Sequence, residues 1–295
     1  MNIVVTGGAG YLGQRLIPHL IADRNSVTVI DNEIKFCTAL MAFQGDDCFE
    51  YVVGDITKKL PEMCIDAVIH LAALWPNNDP KYKEAVMNVN ASGTKRVLEW
   101  AEKCKAKRFI FASDCVYAQA PEDTLIDEDS THFLDTQYAT SKLKAEEYVL
   151  SSKIGLVLRL AEIVGPSPLM RYDTFYNSSA RSIGKRQEVF VKYPGVIYPV
   201  LHISDAVDNI IRLLHLGDES WQQMIGKIYN VASCNLPMGI IAEWGDALVR
   251  LGSDDVVRNF AIKWDKITRK TCASYYQNPE EAFNDVINAV RMGML

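Results

Sequence analysis

The chain has 295 residues, of which 48% are hydrophobic and 23% charged, and its net charge is −6 at pH 7. That balance supports a full core and excludes a disordered chain. No block of Lys or Arg marks a nucleic-acid surface, and no apolar run is long enough to span a bilayer. The chain opens with Ile3-Val4-Val5, an apolar run read as a strand and not as a signal peptide. It runs straight into Thr6-Gly7-Gly8-Ala9-Gly10-Tyr11-Leu12-Gly13. Leu12, Leu16, Ile17, Leu20 and Ile21 then recur at helical spacing, which predicts strand, tight turn and helix. Pro18 falls inside that helix and is expected to kink it.

Gly7, Gly10 and Gly13 are spaced three apart. A side chain at the first would crowd the turn. One at the second would keep the backbone from a pyrophosphate, and one at the third would hold the helix off the strand. The helix N-terminus offers N–H groups and a positive dipole end to phosphates. Val27–Ile30 reads as a second strand, and Asp31 stands at its end, about 20 residues past the glycines, as a dinucleotide fingerprint requires. Asp31 can accept from both ribose hydroxyls and would repel a 2′-phosphate, which favours NAD over NADP.

Tyr51-Val52-Val53 is a third strand, ending at Gly54-Asp55-Ile56; Asp55 can meet an adenine amine or cap the next turn. Ala67–Ala73 is a fourth strand whose small closing residues would let a flat cofactor lie close. Residues 88–105 read as one long helix carrying Asn90 and Thr94, and an Asn inside a helix either solvates or bonds across a groove. Phe109–Ala112 is a fifth strand, followed by Ser113-Asp114-Cys115-Val116-Tyr117. Residues 120–137 are an acidic loop. Tyr138–Ser151 is a helix, and Ile154–Leu160 a sixth strand interrupted by Gly155. Units of this kind in series predict a parallel, doubly wound α/β sheet.

From Ser167 the pattern changes. Pro and Gly cluster, short strands are expected at Glu188–Lys192 and Val196–Leu201, helices at Asp205–Leu216 and Pro237–Leu251, and then a polar tail. The expected domains are a dinucleotide-binding domain over 1–165 and a smaller α+β substrate lobe over 166–295, with segments free to interleave. The seven cysteines (37, 48, 64, 104, 115, 234 and 272) form no metal spacing, so no metal is expected; free thiols fit a cytoplasmic protein.

Tyr138 and Lys142 are four apart, on one helix face. A phenol titrates too high to act as a base at neutral pH. An ammonium one turn away and a positive nicotinamide ring favour the phenolate, and a hydroxyl at the fifth strand's end, Ser113, can hold a substrate oxygen. These groups can move a proton while a cofactor moves a hydride.

The residues quoted resemble the extended short-chain dehydrogenase/reductases, specifically the NAD-dependent sugar-nucleotide epimerase/dehydratase family. The resemblance runs from Met1 to about Val231. It is carried by Thr6–Gly13, Asp31-Asn32, Gly54-Asp55-Ile56, His70-Leu71-Ala72-Ala73, Asn90 with Gly93-Thr94, Ser113 with Val116-Tyr117, Tyr138–Lys142, and His202-Ile203-Ser204-Asp205. It implies a Rossmann fold, with Tyr138 as acid/base and Ser113 on the substrate oxygen. Lys142 would lower the Tyr138 pKa and grip the nicotinamide ribose. Gly7, Gly10 and Gly13 would hold the pyrophosphate, with backbone N–H groups of Tyr11 and Leu12. Asp31 and Asn32 would take the adenosine ribose, and Asp55 and Ile56 would flank adenine. Leu71, Ala72 and Ala73 would line the cofactor's middle, and Asn90 would support it. A homodimer through the helices at 88–105 and 138–151 is also implied.

Departures bear on the substrate. Members that epimerise usually carry Asn where this chain has Glu162, and that Asn often touches the nucleotide diphosphate. The usual Arg before the His202–Asp205 segment is replaced by Tyr198-Pro199; Arg181 is among the cations that can serve instead. Dehydratases carry Thr-Asp-Glu where Ser113-Asp114-Cys115 stands, so the proton donor, Asp114, is present and the base is not. Trp75 reads first as core and second as a platform for a sugar face. The expected activity is epimerisation of a nucleotide-activated sugar through a transient ketone. The alternatives are an NAD(P)-dependent reductase or dehydrogenase of a keto-sugar or other small carbonyl, a 4,6-dehydratase, and a cofactor-binding scaffold without turnover.

Overall fold

A computed structural model describes residues 1–32, 39–75, 82–121, 124–133, 136–245, 248–253, 258–271 and 277–295. They form two compact units. The first comprises Met1–Val116, Phe133–Arg159 and Ile210–Ile228; the second comprises Tyr117–His132, Leu160–Asn209 and Tyr229–Leu295.

The first unit opens with β1 (Asn2–Thr6), α1 (Gly13–Ala22), β2 (Ser26–Asp31), β3 (Phe49–Val53) and β4 (Ala67–His70). It continues with α2 (Tyr82–Val86), α3 (Thr94–Lys103), β5 (Arg108–Asp114) and α4 (Gln137–Leu150). Next along the chain come β6 (Gly155–Leu160), β7 (Glu162–Val164), α5 (Phe175–Gly184), β8 (Val189–Val191), β9 (Ile197–His202), α6 (Ile203–Leu214), α7 (Asp218–Gln222) and β10 (Ile228–Val231). A seven-stranded sheet has the order β10-β6-β5-β4-β1-β2-β3. Strand β1 pairs in parallel with β2 and β4, β2 with β3, and β4 with β5. The order turns outward from β1 in both directions, the doubly wound arrangement in which ligands sit beyond the strands' carboxyl ends.

Strands β1, β4 and β5 are buried on both faces, as parallel strands under helices are. Val4, Ile30, Val68, Phe109 and Phe111 from the sheet join Val97, Leu98 and Trp100 from α3 and Ala145 and Val149 from α4 in one core. Helix α1 continues through Pro18. The helix expected at 88–105 begins as a π-helical stretch, Met87–Gly93, and becomes regular only at Thr94. A Cβ on Gly93 would lie 2.9 Å from Ile56 Cδ1, so the wide turn lets its backbone pack close.

The second unit departs more from expectation. The predicted helix at Pro237–Leu251 is instead β11 (Cys234–Pro237), a 3₁₀ turn (Met238–Ile240), α8 (Ile241–Trp244) and β12 (Val249–Leu251). Pro237 is extended, and a Cβ on Gly245 would meet Ile183 at 2.5 Å, so neither supports a long helix there. The expected polar tail contains α9 (Asp265–Thr271) and α10 (Pro279–Arg291). Asn278 caps α10 with Pro279 in its first turn, and Ala282, Phe283, Val286 and Ile287 bury its inner face against Tyr176, Ala180 and Ile183 of α5. Strand β9 lies between β7 and β11, and β8 pairs with β12. Among the described residues, no helix is long and apolar enough to cross a membrane. No group of His, Cys, Asp and Glu among them could hold a metal ion.

Candidate active site

The glycine turn follows β1. Gly7 has φ +72°, and a Cβ there would lie 2.5 Å from Ala72 N, at the end of β4. A Cβ on Gly13 would lie 2.4 Å from Gly8 O, so this glycine seats α1 on the turn. Gly10 differs: its Cβ would meet only Gly7 O, at 3.1 Å, within 4 Å. The fold itself needs glycine at 7 and 13, whereas at 10 a Cβ would press on that one oxygen only. Asp31 Oδ2 accepts from Ala9 N–H at 3.0 Å, placing its carboxylate beside this turn. Tyr11 and Leu12 are buried within it, and Asn32 is exposed. Gln14, which the sequence did not flag, donates from Nε2 to Ala9 O at 2.6 Å and braces the turn from inside α1.

The other dinucleotide candidates lie around the strand ends. The Asp55 carboxylate accepts from Thr57 N–H at 2.8 Å, a turn cap, and Ile56 sits in the core. Leu71, Ala72 and Ala73 are half-buried directly after β4. Asn90 is buried, and both ends of its amide bind Leu74: Oδ1 accepts from Leu74 N–H at 2.7 Å, and Nδ2 donates to Leu74 O at 2.9 Å. It therefore fixes the chain just beyond those small residues.

Helix α4 starts at a proper cap, with Thr136 Oγ1 accepting from Ala139 N–H at 3.0 Å, and carries Tyr138 and Lys142 one turn apart. Both are buried. The Lys142 ammonium donates to Ala112 O on β5 at 2.7 Å and lies 4.6 Å from the Phe111 ring centroid. The Tyr138 hydroxyl donates to Asp114 Oδ2 at 3.0 Å. Trp75 stacks on the Tyr138 ring, centroids 4.5 Å apart and planes at 21°, and is 37% exposed. The reading of Trp75 as a core residue is thus corrected: it is an exposed cover over the phenol.

Ser113 is turned the other way. Its hydroxyl donates to Glu146 Oε1 at 2.5 Å, and Glu146 is gripped by Arg159, with Nε to Oε1 at 3.0 Å and a terminal nitrogen to Oε2 at 2.6 Å. All three are buried. Strand alternation explains the outcome: Ser113 and Asp114 are adjacent on β5 and point to opposite faces. Asp114, a candidate for the substrate, is the group that meets the phenol. Nothing in the sequence links Glu146 to Arg159 across the loop between α4 and β6.

In the second unit, Glu162 opens β7, and its Oε1 accepts from Tyr176 N–H at 2.7 Å, in the first turn of α5. Arg181 is exposed, its guanidinium 4.3 Å from the centroid of Tyr172. The hydroxyls of Tyr172, Thr174 and Tyr176 are buried here without hydrogen-bond partners among the described residues. Burial, followed by the Glu162 charge, pushes the Tyr176 phenol well above its usual range.

The model of the NAD dependent epimerase/dehydratase family matches residues 3–232. The chain belongs to this family. It is 30% identical over 184 residues to the putative UDP-arabinose 4-epimerase 4 of Arabidopsis thaliana, across 57% of this chain and 42% of that protein. The chain thus spans less than half of that relative's length. It is 32% identical over 298 residues to D-erythronate dehydrogenase of Haemophilus influenzae, across 90% of each. The UDP-glucuronic acid 4-epimerase of Bacillus cereus, solved with UDP-glucuronic acid and NAD, superposes with a TM-score of 0.84 at 19% identity, over 99% of both chains.

The family is described as NAD dependent. The turn fits that cofactor: the space at Gly10 would be filled by any Cβ, and the Asp31 carboxylate stands beside the turn's N–H groups. Gly7, Gly10, Gly13 and Asp31 are the residues that would hold it.

Proposed function

We propose that the chain is an NAD-dependent epimerase acting on a nucleotide-activated sugar through a transient keto intermediate, with Tyr138 as the acid/base. The observation that carries this reading is the pairing of Tyr138 with Asp114 and of Lys142 with Ala112 O, in the same unit as the glycine turn. NAD held at the glycine turn would supply hydride-accepting and hydride-donating chemistry beside Tyr138. Tyr138 takes the proton of the reacting hydroxyl and gives it back after the ketone has turned. The Lys142 ammonium, one turn on, favours negative charge on the phenol oxygen, while Asp114 favours its protonated form; the two together set the proton's residence. The substrate hydroxyl would replace the phenol as a partner of Asp114. Trp75, exposed and stacked on the phenol, gives a flat face for a pyranose. The relatives named as UDP-sugar 4-epimerases support the substrate class.

A dehydrogenase acting on a small sugar acid or related hydroxyl compound is the second reading. Glu162 favours it, because a carboxylate already bound at the start of α5 repels a diphosphate, and so does the similarity to D-erythronate dehydrogenase over 90% of both chains. We also propose a cytoplasmic homodimer packed through 88–105 and 138–151, and sedimentation of the pure protein checks the assembly.

The deciding experiment presents pure protein and NAD with UDP- and dTDP-sugars and with sugar acids. Epimerisation leaves no net NADH; dehydrogenation accumulates NADH in proportion to substrate. Tyr138→Phe should slow turnover by about 10²–10⁴-fold and leave NAD bound. An unaffected mutant would remove Tyr138 from the mechanism, and silence across both panels would favour a scaffold.

A further inference from the structure

His70 was quoted above only as part of a family pattern, yet it is fully buried between two threonines. Its Nδ1 lies 2.6 Å from Thr6 Oγ1 and its Nε2 lies 2.9 Å from Thr94 Oγ1. The direction of each bond follows from counting protons. Ser141 Oγ donates its one proton to Tyr138 O at 2.7 Å, so it accepts from Asn90 Nδ2 at 3.1 Å. Thr94 Oγ1 donates its one proton to Asn90 O at 2.5 Å, so it accepts from His70 Nε2. His70 is therefore the Nε2–H tautomer, and Thr6 donates to Nδ1. The result is one chain of hydrogen bonds, all running the same way: Thr6 to His70, His70 to Thr94, Thr94 to the Asn90 backbone, the Asn90 side chain to Ser141, and Ser141 to the backbone of Tyr138.

Its ends matter. Thr6 is the last residue of β1, directly before Gly7, and Tyr138 carries the phenol. The chain crosses β1, β4, the π-helical stretch and α4, which have no covalent proximity. On one side, His70 stacks on Phe111 with centroids 5.6 Å apart, and the Lys142 ammonium lies over that same ring. The imidazole is thus surrounded by groups that require it to be neutral and to hold one tautomer. A buried network in which every member is satisfied fixes geometry more tightly than packing alone.

From this we infer that His70 is a positioning residue: its neutral imidazole locks the first glycine of the dinucleotide turn and the Tyr138 backbone into one register, so that cofactor seat and acid/base are set together. The kinetic half of this inference rests on the reading of Tyr138 given above; the binding half does not. His70→Phe keeps the ring against Phe109 and Phe111 but takes away the acceptor of the Thr6 hydroxyl and the donor to Thr94 Oγ1. Losing a satisfied buried hydrogen bond at each end should weaken NAD binding roughly tenfold and lower kcat by a similar factor. His70→Gln offers an acceptor and a donor in the imidazole's places and should recover most of both.

The experiment is calorimetric titration of pure protein with NAD, together with kcat and melting temperature, for wild type, His70→Phe, His70→Gln and Tyr138→Phe. Thr94→Val, which cuts the chain one link further on with little change of shape, is the second variant should His70→Phe fail to fold. The expected pattern is weaker NAD binding and lower kcat in His70→Phe and Thr94→Val, with recovery in His70→Gln. A lower melting temperature with wild-type NAD affinity and kcat would overturn the inference and leave His70 a packing residue. Equal defects in the Phe and Gln variants would also overturn it. Wild-type turnover in Tyr138→Phe would instead defeat the functional reading, and the NAD titrations would still judge His70.

Discussion

Glu146 and Glu162 are both carboxylates turned away from full exposure, and they are held in different ways. Glu146, in the first unit, is buried against the Arg159 guanidinium and also accepts from Ser113. Glu162, in the second, is half-buried and accepts from a backbone N–H at the start of α5. The contrast extends to the neighbours. In the first unit the buried polar side chains around the site hold strand ends and helices in register, through Asn90, Ser141 and His70. In the second, three hydroxyls beside α5 are buried without partners among the described residues. Satisfied groups are a scaffold, and unsatisfied ones are the kind of feature a bound molecule or water completes. Buried groups without such partners occur in the first unit as well, at Arg15 and Trp221, so the contrast lies in how the two carboxylates are held.

The sharpest way to break this comparison is to remove each carboxylate. Glu146→Ala removes the carboxylate that the buried Arg159 guanidinium grips and should cost about 3–5 kcal/mol of stability in denaturant unfolding. Glu162→Gln keeps an acceptor for Tyr176 N–H and loses only charge at a helix end, about 0.3–1 kcal/mol. Its effect should fall on substrate choice, with anionic diphosphates binding better. Equal stability losses would mean that Glu162 is scaffold too.

The glycines offer a test inside the first unit. Gly13→Ala drives a methyl against the Gly8 backbone and should cost about 1–3 kcal/mol from overpacking, read as a lower melting temperature. Gly10→Ala meets one oxygen at 3.1 Å, so it should fold nearly as well as wild type and lose NAD affinity instead. If both mutations destabilise alike, the room at Gly10 serves the fold and not the cofactor.

A smaller effect per step is expected from acid. Burial, and then the Lys142 ammonium, push the His70 imidazole down to about 3. In the unfolded chain an imidazole titrates near 6.5. Between those values the unfolded chain carries a proton that the folded chain refuses. The contribution is therefore whole above about 6.5 and is lost as pH falls toward 3, at about 1.4 kcal/mol per pH unit. His70→Gln should flatten this slope when unfolding is followed from neutral to mildly acidic pH. An unchanged slope would assign the acid sensitivity to other groups.

The same division decides what the sequence could tell. The first unit was legible because its rules are local: glycine spacing, an acid at the end of β2, and Tyr138 and Lys142 on one helix face. Even there, spacing predicts Ser113 as the hydroxyl for a substrate oxygen, and the strand alternation turns it to Glu146 and brings Asp114 to the phenol. The residue that draws Ser113 away, Glu146, owes its position to Arg159, a partner no spacing rule supplies. The second unit was harder. Helix α10 hides its apolar stripe among six charged or amide side chains, although Asn278-Pro279-Glu280-Glu281 is a helix start by its chemistry. The run after Pro237 has helix-forming residues, but tertiary packing around Gly245 overrides them.

Arg181 carries the smallest expected effect and bears most directly on the second unit's character. Its guanidinium rests on Tyr172 at the surface, and Tyr172 has its hydroxyl buried without a partner among the described residues. If this face is built to receive a ligand, the contact holds a side chain ready and adds little to the fold. An exposed cation–π contact contributes about 0.5–1 kcal/mol. Arg181→Ala should therefore shift the unfolding midpoint slightly while raising KM for an anionic substrate with kcat nearly unchanged. A loss of stability as large as that of Glu146→Ala, with KM untouched, would show that Arg181 holds α5 in place, and the reading of this face as one that receives a ligand would fail.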